Sequence, residues 1–447
     1  MSDWITVPRN CKATRGVSYR DALVTSNKTQ QQADDTLKSY VSNPSSNIFS
    51  VLDDTSSKLI KVEPQSLDRR LLNSSSSNTD TSDSTIKVNS KAYASLHTRF
   101  IKSIKSIDTI PLNKWYYWRD MMNNYDFYRY STNTNRAYYK LWELLNKYKI
   151  IDISKIVESK DSNGSPVKFF HTCHLAEAPG SFVLATQDFL YKNMYDNSNN
   201  NVKSNLGIDI NLCSVAISRE PSRKLYSNEG YPPFHRTLLQ DDNIETLYGD
   251  VSDEKFIKNF IDTRISNSQT KKFAFVTADG GLDDGRNYTK KESLHHDLFF
   301  CETKAILALQ DVGGSCVIKF YETFSKETLQ ILYLLIKHYT DYNIIKPKTS
   351  RPTNSERYVI CRGFKSIVSY DSLTKTIHEL KPVPVTTLER LQKVNTALVV
   401  NQIACIETII NIVSGKKKVD LDTRIKCKKT SFQEFCKTYN LRLLKDS

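Results

Sequence analysis

No two cysteines of this chain are spaced C-x-x-C, although there are nine of them in 447 residues, among them Cys11, Cys173, Cys316 and Cys427. An odd, scattered set in a chain of this length argues against a disulfide framework and for a reducing environment. The start, Met1-Ser2-Asp3-Trp4-Ile5, lacks the basic-then-apolar pattern of a secretory signal. No stretch reaches the ~18 uninterrupted apolar residues of a membrane span. The expectation is a soluble intracellular protein with no membrane partner. Glycine is scarce, at 13 residues, while Asn, Ser, Thr, Lys and Ile are abundant; the bias suits an AT-rich genome but identifies no source. No internal repeat is visible.

What is present is enough for a packed core. Hydrophobic residues make up 39%, aromatics 11% and charged residues 25%. The length allows a full α/β domain with extra segments. The formal net charge of +14 suits a polyanionic partner such as nucleic acid, or equally a soluble protein with scattered lysines.

The chain divides by composition. Residues 1–90 carry little pattern, and Asn73–Thr85 is so polar that a disordered linker is expected near 73–86. A basic, aromatic region follows over 91–134, including Phe100, Lys105, Trp115, Trp118, Arg119, Tyr125 and Arg129. Interleaved cations and rings could bind RNA, but for most of these rings a core position is the better reading. Residues 135–149 place Ala137, Leu141, Leu144 and Tyr148 on one helical face. Strands are then expected at Val167–Leu175, Phe273–Thr277, Ser315–Phe320 and Arg357–Cys361. Helices are expected at Phe182–Tyr191, Leu298–Leu309 and Lys326–His338. An Asn-rich loop is expected at Asp196–Ser204. This alternation predicts an α/β domain over 135–364 with a mostly parallel, doubly wound sheet. Residues 365–447, helical over Thr386–Val413 and with a basic spot at Lys416-Lys417-Lys418, form a C-terminal extension.

Several positions could carry chemistry. The turn Glu177-Ala178-Pro179-Gly180-Ser181-Phe182 joins a strand to a helix. Small residues there let the backbone approach a ligand, and the helix start offers N–H groups. Many such turns bind nothing. Asp250, in Tyr248-Gly249-Asp250, could accept from an adenine amino group or simply cap a helix starting near Ser252. Asp279 ends the apolar run F-A-F-V-T-A, where α/β enzymes place ligands. Lys319 ends S-C-V-I-K. A lysine in a buried, cleft-side position is costly unless paired, and one so tuned can act as a base; the alternative is an edge lysine reaching solvent. Glu356 precedes a strand and would meet Lys319 if the two strands are neighbours. Lys140, read alone, is a surface lysine. His171-Thr172-Cys173-His174 lies in an expected strand and is read as core, so no metal site is expected.

In combination these segments resemble the FtsJ/RrmJ family of RNA ribose 2'-O-methyltransferases, which includes cap-specific mRNA enzymes of eukaryotes and large DNA viruses. Asn135-Arg-Ala-Tyr-Tyr-Lys140-Leu is similar to the family's R-A-x-x-K-L helix. Glu177–Phe182 is similar to its A-P-G-G-F cofactor loop, with Ser181 in place of the second glycine. Val276-Thr-Ala-Asp279-Gly-Gly is similar to the catalytic aspartate segment. Lys346-Pro-Lys-Thr-Ser-Arg-Pro-Thr-Asn-Ser-Glu356 is similar to the K-P…S-R…S-x-E strand entry, and Lys319 falls at the second lysine.

The resemblance implies a Rossmann-like SAM-dependent methyltransferase domain with N-terminal and helical C-terminal extensions. It implies a Lys140–Asp279–Lys319–Glu356 tetrad in which Lys319 takes a proton from a ribose 2'-OH. It implies S-adenosyl-L-methionine held by Glu177, Ala178, Pro179, Gly180, Ser181 and Phe182, with Asp209 as a candidate for the cofactor ribose and Asp250 for the adenine. Capped mRNA is the implied substrate, at its first transcribed nucleotide, with rRNA or tRNA as the alternative and an inactive RNA-binding scaffold as a third reading. SAM-dependent methylation of protein or small molecules is disfavoured by Lys319 and Glu356. Partners among other capping or transcription proteins, and a place in host cytoplasm, virion or nucleus according to source, are the corresponding expectations.

Overall fold

The structure, a computed structural model, describes residues 90–125, 135–152, 157–160, 166–195, 210–221, 233–266, 272–282 and 287–441. The expected N-terminal region with its linker, part of the basic aromatic region, the Asn-rich loop and Asp209 lie outside the described residues.

Among the described residues, eight strands form one sheet: β1 (Val157–Lys160), β2 (Pro166–Leu175), β3 (Ile210–Ser218), β4 (Ile244–Tyr248), β5 (Phe273–Ala278), β6 (Gln310–Phe320), β7 (Tyr339–Ile345) and β8 (Arg357–Phe364). Their order is β4-β3-β2-β5-β6-β8-β7, with β1 antiparallel beside the start of β2. Strands β2 to β6 are parallel, and β8 runs antiparallel between β6 and β7. The order of strands reverses between β2 and β5. That reversal opens a crevice at the carboxyl ends of the strands, the usual ligand position in such sheets.

Side chains alternate between the two faces of a strand, and the core follows this period. Cys173 and Leu175, Val276 and Ala278, and Cys316, Ile318 and Phe320 pack under α8 (His296–Leu309) and α9 (Lys326–Ile336). Val317, Tyr358 and Ile360 face the other way, onto α3 (Arg136–Tyr148), α4 (Ser181–Tyr195) and α11 (Leu421–Thr438). Helix α3 begins because the Asn135 side chain accepts from the N–H groups of Ala137 and Tyr138, and it stops at Lys149, whose φ is 47°. It is buried far beyond the single expected face: every residue from Tyr138 to Leu145 is inside, including Lys140 and Glu143.

Two helices ahead of the sheet domain, α1 (Ser90–Lys105) and α2 (Leu112–Met121), share a core with the long α10 (Val385–Val413). Phe100 and Trp115 meet Val399, Ile403 and Ile406 there. Of the described rings of this region, Phe100 and Trp115 are core, while Tyr116, Trp118 and Tyr125 are half-buried against it. Helix α10 is, among the described residues, the one helix long and apolar enough to cross a membrane by length and composition. In the fold it buries two amides with partners: Asn395 accepts from Arg357 at 2.6 Å, and Gln402 donates to the Thr353 carbonyl at 3.0 Å.

Candidate active site

The end of β6 carries Lys319, and Lys319 pairs across the sheet with Tyr358 on β8. Because β8 is antiparallel to β6, it begins where β6 ends, so Glu356 enters beside Lys319. Asp279 follows Ala278, whose register partner on β6 is Ile318. Lys319 shares its sheet face with Val317, the face covered by α3. From α3 comes Lys140. Four segments far apart in the chain thus deliver Lys140, Asp279, Lys319 and Glu356 to one corner.

The four form two ion pairs. Lys140 Nζ lies 2.8 Å from Glu356 Oε1 and 2.9 Å from Oε2. Lys319 Nζ donates to the Asp279 carbonyl at 2.7 Å and lies 3.3 Å from Asp279 Oδ1. Lys140, Lys319 and Glu356 are buried, at 8, 7 and 9% exposure, so none is a surface charge. Burial pushes the Glu356 carboxyl up, but the ammonium groups of Lys140, Lys319 and Lys346 outweigh it and hold the carboxyl far below its usual range. Burial also pushes Lys319 down, yet the neighbouring groups, Asp279 above all, outweigh that and hold its ammonium above the usual lysine range. Lys319 therefore carries a proton in the free protein.

Three further side chains complete the corner. Tyr358 donates to Asp279 Oδ1 at 2.8 Å. Ser350 donates to Glu356 Oε1 at 2.7 Å. Lys346 Nζ donates to the Glu356 carbonyl at 2.9 Å, the Asn354 carbonyl at 2.7 Å and Asn354 Oδ1 at 2.6 Å, which ties the 346–356 loop around the glutamate. Burial lowers Lys346 to about 7. Lys346 and Ser350 lie inside the K-P…S-R segment, so a signal existed without a role; Tyr358 reads as an ordinary strand aromatic.

The other side of the crevice is different. The backbones of β2, β3, β4 and β5 are knitted at their ends: Glu177 N donates to Ile217 O, Gly249 N to Ser218 O, and Asp279 N to Leu175 O. Glu177, Asp250 and Asp279 thus share one edge. Most of the N–H groups expected free at the start of α4 are taken, however, Leu184 N by the Gly180 carbonyl. Glu177 Oε1 accepts from Phe182 N at 2.6 Å and Val183 N at 3.3 Å, a cap of the helix by its own turn. Burial and Asp279 push the Glu177 carboxyl well up. Gly180 has a φ of +112°, and a Cβ there would sit 1.7 Å from Leu238 Cδ1. The room its missing side chain leaves is taken by Leu238. Phe182 is a core ring against Tyr358, at 6.0 Å between centroids. Ser181 is buried, whereas Ala178 and Pro179, joined by a cis peptide bond, stay partly exposed along the crevice edge.

Asp250 accepts from Ser252 N at 2.9 Å and pairs with Arg219 at 2.7 Å. Partial burial pushes it up, but the Ser252 and Arg219 contacts prevail and hold it below the usual range. It does not cap the helix starting near Ser252: α6 (Glu254–Ser266) starts two residues later, and Asp253 caps it through Lys255 N. His174 is fully buried between Thr277 Oγ1 at 2.8 Å and Thr172 Oγ1 at 3.0 Å, and burial lowers it to about 3. It is a neutral core histidine, and no group of metal-ligating side chains occurs among the described residues.

Comparison with known proteins adds the family. A family model described as FtsJ-like methyltransferase matches residues 134–364. A cap-specific mRNA (nucleoside-2'-O-)-methyltransferase of Autographa californica nuclear polyhedrosis virus is 35% identical over 155 residues, 34% of this chain and 59% of that protein. One of the same description, numbered 1, from Dictyostelium discoideum is 25% identical over 265 residues, 58% of this chain and 33% of that protein. A probable methyltransferase of African swine fever virus is 29% identical over 224 residues, 50% and 48% respectively. The match therefore spans less than two thirds of each of these relatives. With a match over more than half its length, the chain belongs to the FtsJ-like methyltransferase family.

Proposed function

We propose that this protein transfers the methyl group of S-adenosyl-L-methionine to a ribose 2'-OH of RNA, at the first transcribed nucleotide of capped mRNA. The observation that carries the reading is the paired corner of Lys319 with Asp279 and Lys140 with Glu356 at the strand ends. Relatives described as cap-specific mRNA 2'-O-methyltransferases support the substrate.

When bound, the cofactor supplies an electrophilic methyl on a sulfonium. The turn Glu177–Phe182, with Ala178 and Pro179 at its exposed rim, and Asp250 are the residues that would hold it, with Asp209 a further candidate from the resemblance. The carboxylate of Asp250 suits the cationic, amino-rich ligand. Lys319 spends two contacts on Asp279 and has three N–H donors, leaving one direction for the 2'-oxygen. A second cation beside a buried lysine lowers its proton affinity. Lys319 would thus release its proton to solvent as the site fills, and would then take the 2'-hydroxyl proton while the oxygen accepts the methyl group that the cofactor would supply. Lys140, held by Glu356, stabilises negative charge developing on that oxygen. Alignment of the reacting atoms at about 3–3.5 Å supplies much of the rate.

The test is transfer of tritiated methyl from the cofactor to short capped and uncapped RNAs. The reading expects transfer that depends on the cap. Transfer only to uncapped, structured RNA moves the target to rRNA or tRNA. No transfer, with no cofactor binding, makes the chain an RNA-binding scaffold.

A further inference from the structure

Two buried side chains, His295 just ahead of α8 and Glu302 within it, remain unexplained by this chemistry. They are seven residues apart, and both are fully buried. Each reaches to the turn that follows β5. Glu302 Oε1 accepts from Gly280 N at 3.1 Å. His295 Nε2 accepts from Leu282 N at 2.9 Å. Since Nε2 accepts, Nδ1 carries the hydrogen and donates to the Lys291 carbonyl at 2.7 Å, which fixes the ring as the neutral tautomer. The Tyr321 ring packs against His295 at 4.6 Å, nearly perpendicular.

The turn they hold is the one that holds Lys319. Asp279 provides both the carbonyl and the carboxylate for the Lys319 ammonium. Gly280 has no side chain because Glu302 lies directly beneath: a Cβ would fall 2.1 Å from its Oε1. Gly281 passes so near the ammonium that a Cβ would lie 3.3 Å from Lys319 Nζ. A shift of this turn therefore shifts the position of the nitrogen. Glu302 Oε2, moreover, has no hydrogen-bond partner among the described residues. An unpartnered buried oxygen costs stability, so stability of the fold does not account for a carboxyl here. Burial raises this carboxyl to about 8, so at neutral pH it is mostly the uncharged acid and can hold an N–H without a second anion beside Asp279.

We propose that Glu302 and His295 are positioning residues for the methyl transfer, clamping the Gly280 and Leu282 N–H groups so that Asp279 presents Lys319 to the 2'-oxygen. This rests on the function proposed above. Neither residue touches the reacting atoms.

The experiment uses the full chain with Glu302→Leu, Glu302→Gln and His295→Phe, and reads two quantities. The first is steady-state methyl transfer. Glu302→Leu and His295→Phe should lower kcat about 10- to 100-fold, with KM for RNA and cofactor within about threefold. Glu302→Gln keeps an oxygen for Gly280 N–H and should stay within about threefold of wild type in kcat. The second is amide hydrogen exchange of the peptide spanning residues 273–282, which should speed up in Glu302→Leu and not in Glu302→Gln. Equal loss of kcat in the Gln and Leu variants, or unchanged exchange in Glu302→Leu, overturns the clamp. Faster exchange with unchanged kcat leaves a structural clamp and overturns its catalytic role. If wild type transfers no methyl to RNA, the functional reading fails, and exchange alone then decides whether the clamp exists.

Discussion

At the β5–β6–β8 end of the crevice, the motif residues direct their charged groups at one another: Lys319 at Asp279, Lys140 at Glu356. At the β2–β3–β4 end they serve the local backbone. Glu177 caps α4, Gly180 makes room for Leu238, Phe182 enters the core and Asp250 closes its own turn. Both ends sit on one edge and both carry family motifs. The difference is what burial demands. Charges taken out of water must find each other or stay costly, so the first set is forced into mutual contact. A tight strand–helix turn must satisfy its own N–H groups, so the second is consumed in building the shape that a cofactor would meet. Tyr358 joins the two ends, with its ring against Phe182 and its hydroxyl on Asp279.

The sharpest way to break this comparison is to remove chemistry at one end and binding at the other. Lys319→Met should lower single-turnover methyl transfer about 10³-fold, the scale of losing a positioned proton acceptor, with cofactor affinity by calorimetry nearly unchanged. Asp250→Ala should do the reverse, weakening cofactor binding while the rate at saturation holds. Identical losses in both variants would erase the distinction. Since Asp279 and its neighbours hold the Lys319 proton tightly, and the base must be unprotonated, kcat/KM should rise with pH through the neutral and alkaline range. A rate that falls over that range would remove Lys319 as the base.

A smaller effect concerns stability. Glu356→Ala leaves the buried ammonium of Lys140 without its carboxylate and removes the nearest anion from Lys346. Unfolding free energy should fall by about 3 kcal/mol, the cost of removing one partner of a buried pair, measured by denaturant titration. The pH dependence has a definite sign. The folded carboxyl is depressed relative to the unfolded chain, so its contribution is complete above the ordinary glutamate value and is lost as pH falls through the strongly acidic range. The melting temperature of wild type should therefore drop more steeply with acid than that of Glu356→Ala.

Smaller again is the turn. Gly180→Ala imposes a left-handed φ on a residue with a Cβ and presses on Leu238; a loss of about 1–3 kcal/mol is expected. Adding Leu238→Ala should relieve the contact part and leave the backbone part, which a double-mutant cycle separates. Full additivity would mean that the contact contributes nothing.

Much of this was legible in the sequence, and the exceptions have physical causes. The apolar strands β2, β5, β6 and β8 and the helices α3, α4, α8, α9 and α10 are recognisable because burial writes a period into them. Strand β7 was not, since it is a sheet edge with Thr340, Asp341 and Asn343 in a half-exposed pattern. Strand β3 was hidden by its polar Asn211, Cys213 and Ser214 and by the Asn-rich stretch before it. Lys140, Asp279, Lys319 and Glu356 stand out in the sequence only as parts of separate segments; that Glu356 pairs with Lys140 rather than Lys319 depends on which helix covers the sheet face. Glu302 and His295 gave no signal, because a buried acid inside the apolar run of α8 looks like an interruption of the core until its partner, a backbone N–H from a distant turn, is seen. The turn Glu177–Phe182 stands out in the sequence by its small residues, and in the structure its glycine makes room for Leu238.

The most direct test of the central claim compares capped RNAs that differ at one atom of the first transcribed nucleotide: ribose, 2'-deoxyribose and 2'-O-methylribose. The account predicts methyl transfer to the ribose substrate alone, abolished in Lys319→Met. Equal transfer to the 2'-deoxy RNA would place the methyl on a base or on the cap, and would contradict the assignment of the Lys319–Asp279 corner to the 2'-oxygen.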